Sequence, residues 1–347
     1  MSSLFRPSSP DDGGAISRLM QQVFGIGPDH PGLGAEQMAW KYWRQYPEWE
    51  GSRGFVVERE GSIIAHCSVI PLRCAWAGRR LKIVELVDWV AQPNATGAGI
   101  SLLKRLAQAA DGMFIAGGSE MAQKILPALG FRESASATSF ALPLRPLARL
   151  RAESFKSWKP LARYARNTLW RMGGAAAIAP GWRSRRVAPA DLAKAQFPMP
   201  HPSGTEAAIF ERSIPEIAYL MECPVAPVEF YLVERHGVVC GYFILTLALA
   251  QCRVADAWLE PGCAGDWQAL YQLAARAAKA HATVAEIVTV AGDRTSAQGL
   301  KQAGFHPRGQ VALRFWIPKI EPPAEVRYQM IDNDASYLYH DATPFWT

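Results

Sequence analysis

One short pattern occurs twice in this chain. Val57-Glu58-Arg59-Glu60-Gly61, followed by an apolar run, returns as Val233-Glu234-Arg235-His236-Gly237, followed by another, 176 residues later. Two further landmarks keep nearly that distance: Pro10-Asp11-Asp12 matches Pro189-Ala190-Asp191, and Leu129-Gly130-Phe131 matches Ala303-Gly304-Phe305, at offsets between 174 and 179. An ordered set of matches at one spacing is the signature of a duplicated unit and dictates the fold more strongly than any single segment. A chain of 347 residues has room for two domains. The division that follows is residues 1–143 and 187–318 as the two copies, 144–186 as a linker and 319–347 as a tail.

Both copies read in the same order: an opening helix (Asp11 to Phe24; Ala190 to Phe197), an aromatic segment, a hairpin at Glu60-Gly61 or His236-Gly237, then strands. In the first copy Gly54 to Glu60, Ser62 to Pro71 and Leu81 to Ala91 are strands. The last alternates so that Ile83, Glu85, Val87 and Trp89 share one face, and Val84, Leu86, Asp88 and Val90 the other. Ile100, Leu103, Leu106 and Ala110 recur at helical spacing. A strand (Met113 to Ala116), a short helix ending at Gly130 and a last strand through Phe140 complete the unit. Hairpin-joined strands with inserted helices predict an α/β fold of α+β type, each unit a mixed, mostly antiparallel sheet flanked by helices.

Composition narrows the class. With 49% hydrophobic and 20% charged residues the chain is globular, neither disordered nor fibrous. The longest apolar run, Val238 to Ala250, is interrupted by Gly241 and Thr246 and is too short to span a bilayer. The polar start carries no signal-peptide pattern, so the expected location is the cytoplasm. Six cysteines without a paired motif predict buried, reduced thiols and no metal site. The net charge of +6 is uneven: residues 141–186 hold eleven Lys or Arg and one acid, so the rest is net acidic. Arg145, Arg149, Lys156, Lys159, Arg163, Arg166 and Arg171 alternate there with Leu147, Phe155, Trp158, Leu161, Tyr164 and Trp170. Such a segment serves either as a bridge packing its aromatics on the two units, the commoner use, or as a basic amphipathic helix on an anionic surface.

The segment of most chemical interest is Val87 to Leu106. A strand runs through Pro93 into Gly97-Ala98-Gly99 and directly into an amphipathic helix. First-turn amides lack intrahelical acceptors and carry the positive end of the helix dipole, so this is a place for a diphosphate. Ile100-Ser101 lacks the Gly-Lys-Ser or Gly-Lys-Thr of a Walker loop. A dinucleotide fingerprint would need a glycine at Leu102 and an earlier position in the unit.

Val90, Pro93, Gly97, Gly99, Ile100, Leu102 and Leu103 resemble the acyl-CoA-binding motif of the GNAT superfamily of N-acyltransferases, with Thr96 in place of the usual Arg or Gln and Ser101 in place of the last Gly or Ala. Ser119, Ala122, Leu126, Gly130 and Phe131 follow at that family's downstream spacing, as do Asp293, Ser296, Leu300, Gly304 and Phe305 in the second copy. The resemblance implies two tandem GNAT-like units and acetyl-CoA as cosubstrate. It places the cofactor on Val90, Thr96, Gly97, Ala98, Gly99, Ile100, Ser101 and Ser119, with the backbone amide near Val90 as oxyanion donor. Glu85 is the implied general base and Asp88 the second choice; the family's acid Tyr is Leu126 here, with Tyr42, Tyr46, His66 and Ser119 as substitutes. The second copy, with Glu260 to Trp267 in place of the glycine loop, is expected to hold no CoA. Tandem members resembling acyltransferases of polysaccharide loci suggest an amine acceptor, such as a sugar or nucleotide-sugar amine; the segment Trp40 to Trp49 is either an aromatic helix in the core, the commoner use, or a wall of the acceptor cleft. A CoA-sensing scaffold and an aminoacyl-tRNA-dependent transferase are the alternatives, nucleic acid being the less favoured partner.

Overall fold

The computed structural model describes residues 3–151, 158–172, 177–202, 207–260, 262–338 and 345–347. Lys156, Phe155, Pro261 and Tyr339 lie outside the described residues.

The first half comprises β1 (Leu4–Pro7), α1 (Gly13–Phe24), α2 (Ala35–Met38), β2 (Gly54–Arg59), β3 (Ser62–Trp76), β4 (Arg79–Ala91), α3 (Ala98–Leu106), β5 (Gly112–Ala116), α4 (Glu120–Ile125) and β6 (Arg132–Pro143). Two linker helices follow, α5 (Pro146–Arg151) and α6 (Lys159–Met172). The second half has β7 (Trp182–Val187), β8 (Ala208–Phe210), α7 (Ile214–Met221), β9 (Val228–Arg235), β10 (Val238–Ala248), β11 (Gln251–Leu259), α8 (Ala264–Ala280), β12 (Glu286–Ala291), α9 (Arg294–Gln302) and β13 (His306–Trp316), then β14 (Val326–Arg327) in the tail. From the first hairpin onward the two halves repeat element for element. The opening does not repeat: Ala190 to Phe197 forms only a 3-10 turn, Pro189–Lys194, in place of the expected helix. Leu192 is its one buried residue, and Pro198 and Pro200 follow at once, so no apolar helical face exists to stabilise more turns.

All the strands join one sheet, in the order β1-β2-β3-β4-β5-β13-β6-β12-β11-β10-β9-β7, with β8 and β14 attached beside β3. The centre of that order is an exchange. β13, from the second half, lies between β5 and β6, while β6, from the first half, pairs with β12. Each half therefore completes the other's sheet. The core at this junction mixes both halves as well: Phe114 packs its ring against Phe210, Phe315 and Tyr328 at centroid distances of 5.2, 4.7 and 5.8 Å. Each such ring contributes about 1.5–3 kcal/mol by leaving water, so neither half keeps its full core alone.

α3 covers one face of the first half through Leu102, Leu103 and Leu106, packed on Val84, Leu86, Cys67 and Val69. The opposite face carries α1, the segment after α2, and the tail. That segment is a π turn, Ala39–Trp43, in which Trp40, Lys41 and Tyr42 are all buried. Three consecutive buried side chains require surroundings on every side, and they have them. Trp40 stacks on Tyr219 and meets Tyr337, Tyr42 enters the α1 core, and Lys41 reaches two carboxylates. Of the two readings of this aromatic segment, the core placement holds for Trp40, Tyr42 and Trp49, which belong to three different apolar clusters.

The tail crosses both halves as a strap. Asn333 bonds Glu85 on β4, and Ser336 and Ala335 accept from Thr246 on β10 and Arg253 on β11. Two buried acid–cation–acid triads pin it. In the first half Lys41 Nζ lies 2.6 Å from Asp88 and 2.7 Å from Asp334; in the second, Arg212 lies 3.1 Å from Asp256 and 2.7 Å from Asp332. A tyrosine hydroxyl donates to the strand acid in each, Tyr42 to Asp88 and Tyr242 to Asp256.

Candidate functional site

The site begins with a strand that changes phase. Opposite β3, Val87 pairs with Ser68 and Val90 with His66, so Asp88 and Trp89 together face Cys67 alone. This is a β-bulge, and Asp88 takes a positive φ of 52° to make it. An extra residue reverses the alternation beyond it. Asp88 therefore lies on the same face as Glu85, not opposite it, and Trp89 turns to the α3 face instead of joining Glu85. The spacing rule for an unbroken strand fails here because the bulge itself leaves no mark in the hydrophobic pattern.

β4 and β5 are parallel and pair only over Ile83–Gly112, Val84–Met113 and Glu85–Phe114; beyond that they separate. The opening is a cleft of roughly 530 Å³. Leu86, Val87 and Trp89 form one wall, Ile115, Ala116 and Ser119 the other, Phe24 and Ile26 the rim after α1, and Asn333, Asp334 and Leu338 of the strap the end. No linker residue lines it among the described residues, so the linker's charge does not bear on what the cleft takes.

The helix start stands at the edge of this cleft, since the Trp89 indole N–H donates to Gly99 O at 3.0 Å. Gly97 is the N-cap, with φ 81° and open space where a Cβ would stand. A side chain is disfavoured there by the left-handed backbone, which glycine adopts freely. Ala98 N is bonded to Ala95 O and Ser101 N to Gly97 O, which leaves Gly99 and Ile100 as first-turn donors without an acceptor among the described residues. Thr96, Gly97 and Ser101 are exposed, Ile100 half-buried, Ala98 and Gly99 buried. Gly99 differs in purpose from Gly97: a Cβ there would stand 3.1 Å from Trp89 Nε1, so its lack of a side chain lets the helix close on the strand.

The amide of Gln92 donates to Ile64 O across β3. Antiparallel pairs alternate in their bonding, so the Val90 amide, two residues back and opposite His66, also faces β3. By the same alternation the Ala91 amide, next to Val90, faces away from β3 toward the gap.

Glu85, the expected base, is fully buried. Its Oε1 accepts from Ala116 N at 3.1 Å and from Asn333 Nδ2 at 2.6 Å, while Oε2 has no partner among the described residues. Burial holds its pKa well above the ordinary carboxylate range, against which these two bonds act in vain. Glu85 lies outside the cleft lining, with its carboxyl turned to Ala116 and Asn333. The structure makes Glu85 the clasp between sheet and strap. Asp88 does line the cleft. Burial pushes its pKa up, but the Lys41 ammonium overrides that and leaves it at about 2. Lys41 itself stays charged, because Asp334 and Asp88 outweigh its desolvation.

Leu126, at the position of the family's tyrosine, is fully buried. Of the four suggested substitutes, Tyr42 and His66 are enclosed and Tyr46 is half-buried away from the cleft, with desolvation raising both phenol pKa values and dropping His66 to about 4. Ser119 alone lines the cleft. It caps α4, its Oγ accepting from Ala122 N at 3.3 Å, which leaves the hydroxyl proton for donation. Lys41, Asn333 and Asp334 were not singled out from the sequence. Lys41 carried one faint signal, a lone charge inside Trp40-Lys41-Tyr42-Trp43.

No protein-family model and no curated protein sequence matches this chain. Solved structures do. Saccharomyces cerevisiae N-myristoyltransferase with bound myristoyl-CoA aligns over 92% of this chain and 84% of its own, with a TM-score of 0.61 and 14% identity. A GCN5-related N-acetyltransferase from Anabaena variabilis aligns over 91% and 73%, with a TM-score of 0.58 and 13% identity. A probable N-acyltransferase from Enterococcus faecalis aligns over 91% and 73%, at 0.56 and 12%. At such identities the likeness is one of fold. The chain has the mixed α/β fold of GCN5-related N-acetyltransferases, with a mostly antiparallel sheet flanked by helices.

Proposed function

We propose that the first half binds acyl-CoA in the gap between β4 and β5 and passes the acyl group, in our reading acetyl, to an amine. The observation that carries this is the conjunction of the open cleft with the uncapped start of α3 at its edge. The residues fit such a substrate. Gly97 offers open space, and the amides of Gly99 and Ile100 are donors for the diphosphate. The edge of β4 facing the gap presents main-chain groups to an extended pantetheine, as an added strand would. The apolar walls at Leu86, Ile115, Phe24 and Leu338 suit the acyl end. That fold neighbours include one with bound myristoyl-CoA supports the same placement.

Acyl-CoA as substrate supplies an activated thioester. The amide of Ala91 is the donor for its carbonyl oxygen as charge develops, a role worth about 3 kcal/mol where a comparable donor has been removed. An attacking amine arrives protonated and has to lose a proton. Asp334 is the cleft carboxylate we assign to receive it, because Asp88 is engaged by the Tyr42 and Ser68 hydroxyls as well as by Lys41, and Glu85 lies outside the cleft lining. The Ser119 hydroxyl is our candidate donor to the departing thiolate. The acceptor is an amine; the sugar-amine expectation has lost its aromatic wall to the core and its basic linker to a site outside the cleft.

The test combines calorimetric titration with acetyl-CoA and a thiol-release assay over peptide amines, amino sugars and nucleotide-linked amino sugars. Binding with thiol release supports the enzyme, and binding without release across the panel supports the scaffold alternative. Asp334→Asn is expected to lower kcat by about 10²-fold or more while acetyl-CoA binding persists, the magnitude of a lost general base. An unchanged kcat would remove Asp334 from the reaction.

A further inference from the structure

We propose that the linker face carrying α6 docks this protein on an anionic lipid bilayer surface. Ten large apolar side chains are exposed among the described residues, and four of them fall in the linker: Leu147 at 48%, Trp158 at 73%, Leu161 at 55% and Leu169 at 67%. Isolated exposed leucines are ordinary, but a contiguous set marks an interaction surface. Three of the four, Trp158, Leu161 and Leu169, form a contiguous set. Leu161, Ala165 and Leu169 stand at i, i+4 and i+8 on one outward stripe of α6, with exposed Ala162 beside them and Trp158 at the helix entry.

The opposite side of α6 is fixed to the body of the protein. Asn167 is buried, and Trp170 stacks on His306 of β13 at 4.0 Å, with the Arg166 and Arg308 guanidinium groups against its ring. The helix is therefore held in place with its apolar stripe turned to solvent. Exposed cations border the stripe, Lys159 and Arg171 on α6 and Arg151 at the end of α5. Beside Arg171 lies a groove of about 390 Å³ floored by Leu142, Leu144 and Ile178 and rimmed by Arg276 and Lys279. The same surface thus combines an apolar ridge with an anion-receptive rim.

That combination selects the occupant. A nucleic acid is held through its phosphates, and bare leucines in the middle of the contact contribute nothing to that. An anionic bilayer takes both parts, the apolar stripe entering the headgroup boundary while Lys and Arg meet the acidic headgroups. At 14 residues α6 is about 21 Å long, too short to cross the roughly 30 Å hydrocarbon core, so it lies in the plane of the interface. The concentration of positive charge in residues 141–186, in a chain otherwise net acidic, orients this face toward the surface.

The experiment is cosedimentation of the full chain with vesicles of phosphatidylcholine alone and of phosphatidylcholine mixed with phosphatidylglycerol, at low and high salt. Binding to the mixed vesicles is expected, at least about tenfold tighter than to neutral ones and weakened by salt. Leu161→Asp with Leu169→Asp removes no core contact, and is expected to lose binding at least tenfold with an unchanged circular dichroism spectrum and Tm. Lys159→Glu with Arg171→Glu should act in the same direction. Quenching of the exposed Trp158 by brominated lipid reports insertion directly. Failure of the wild type to bind mixed vesicles at low salt, equal binding to neutral vesicles, or full binding by the leucine variant would each overturn the proposal.

Discussion

The gap between β4 and β5 encloses roughly 530 Å³, whereas the pocket beside Asp256 and Trp258 on β11 has about 10 Å³. Both halves have the same strands and the same helix crossing over them, so the fold alone does not decide which one opens. Side chains decide it. In the second half Trp267, in the first turn of α8, and Arg327, from β14 of the tail, fill the space, the Arg327 guanidinium lying 4.9 Å from the Trp258 ring and 5.8 Å from that of Trp267. The helix ends differ in the same sense. α8 is closed by Asp266, whose carboxylate accepts from Cys263 N at 3.1 Å, and α3 begins at a glycine with no side-chain cap. A carboxylate at a helix start takes the place an anionic ligand would use. The two halves share a scaffold; the tail plugs the second and only walls the first.

The largest expected effect comes from the two triads. Lys41→Met and Arg212→Met each leave a pair of buried acids facing one another without their cation, and each should destabilise the protein by about 3–5 kcal/mol, read by urea unfolding. Their effects on binding should part company. Asp88 and Asp334 line the open cleft, so Lys41→Met is expected to weaken acyl-CoA binding as well, while Arg212→Met at a temperature where it is folded should bind normally. Equal loss of affinity in both variants would break the distinction between the halves.

Closing the first gap in the manner of the second is the next test. Ala122 lines the cleft from α4 and is half-buried, so Ala122→Trp places an indole in the space. Acyl-CoA affinity should fall at least about 100-fold, equivalent to about 2.7 kcal/mol, with little change in Tm. Undiminished binding by calorimetry would relocate the site. Gly97→Asp copies the acidic helix start of the second half, and about a tenfold loss is expected. Part of it is the backbone cost of a side chain at φ 81°, about 1–2 kcal/mol, partly relieved for Asp and Asn. Gly97→Asn carries that cost without the charge, and a smaller loss of affinity for Asn than for Asp isolates the electrostatic part.

The contrast between the halves was partly legible in the residues. Repetition at one offset pointed to the element order that the two halves share, and the sequence after Glu260 already showed Asp266 and Trp267 at the start of α8. The exchange of β6 and β13 was not legible, because each strand carries the same alternating pattern whichever half it joins. Nor was the bulge at Asp88, which reverses a face without altering composition. The strap escaped for another reason: Asn333 and Asp334 lie more than 240 residues from the strand they serve, and no local period connects such positions. The helix start at Gly97 was legible because main chain sets it; the clasp at Glu85 and the pairing of Lys41 were not, because distant packing sets them.

Glu85 supplies the smallest expected effect. Its folded pKa lies well above 4.5, which is the direction also taken by Asp332 in the second half, raised by burial to about 7 against the pull of Arg212. For such a raised carboxyl the folded state prefers the proton. Its stabilisation is therefore complete below the unfolded pKa and declines as pH rises toward the folded value, by up to about 1.4 kcal/mol per pH unit. Glu85→Gln retains an oxygen for Ala116 N and Asn333 Nδ2 and has no proton to lose. At pH 7 it should leave turnover within about twofold and stability within about 1 kcal/mol, because it keeps both hydrogen bonds and Glu85 lies outside the cleft lining. As pH rises above the unfolded value its urea midpoint should fall less steeply than that of the wild type. Asp332→Asn should remove a decline between about pH 4 and 7. A large loss of kcat in Glu85→Gln, with acyl-CoA binding intact, would return Glu85 to the chemistry and require that its carboxyl reach the cleft in a conformation other than this one.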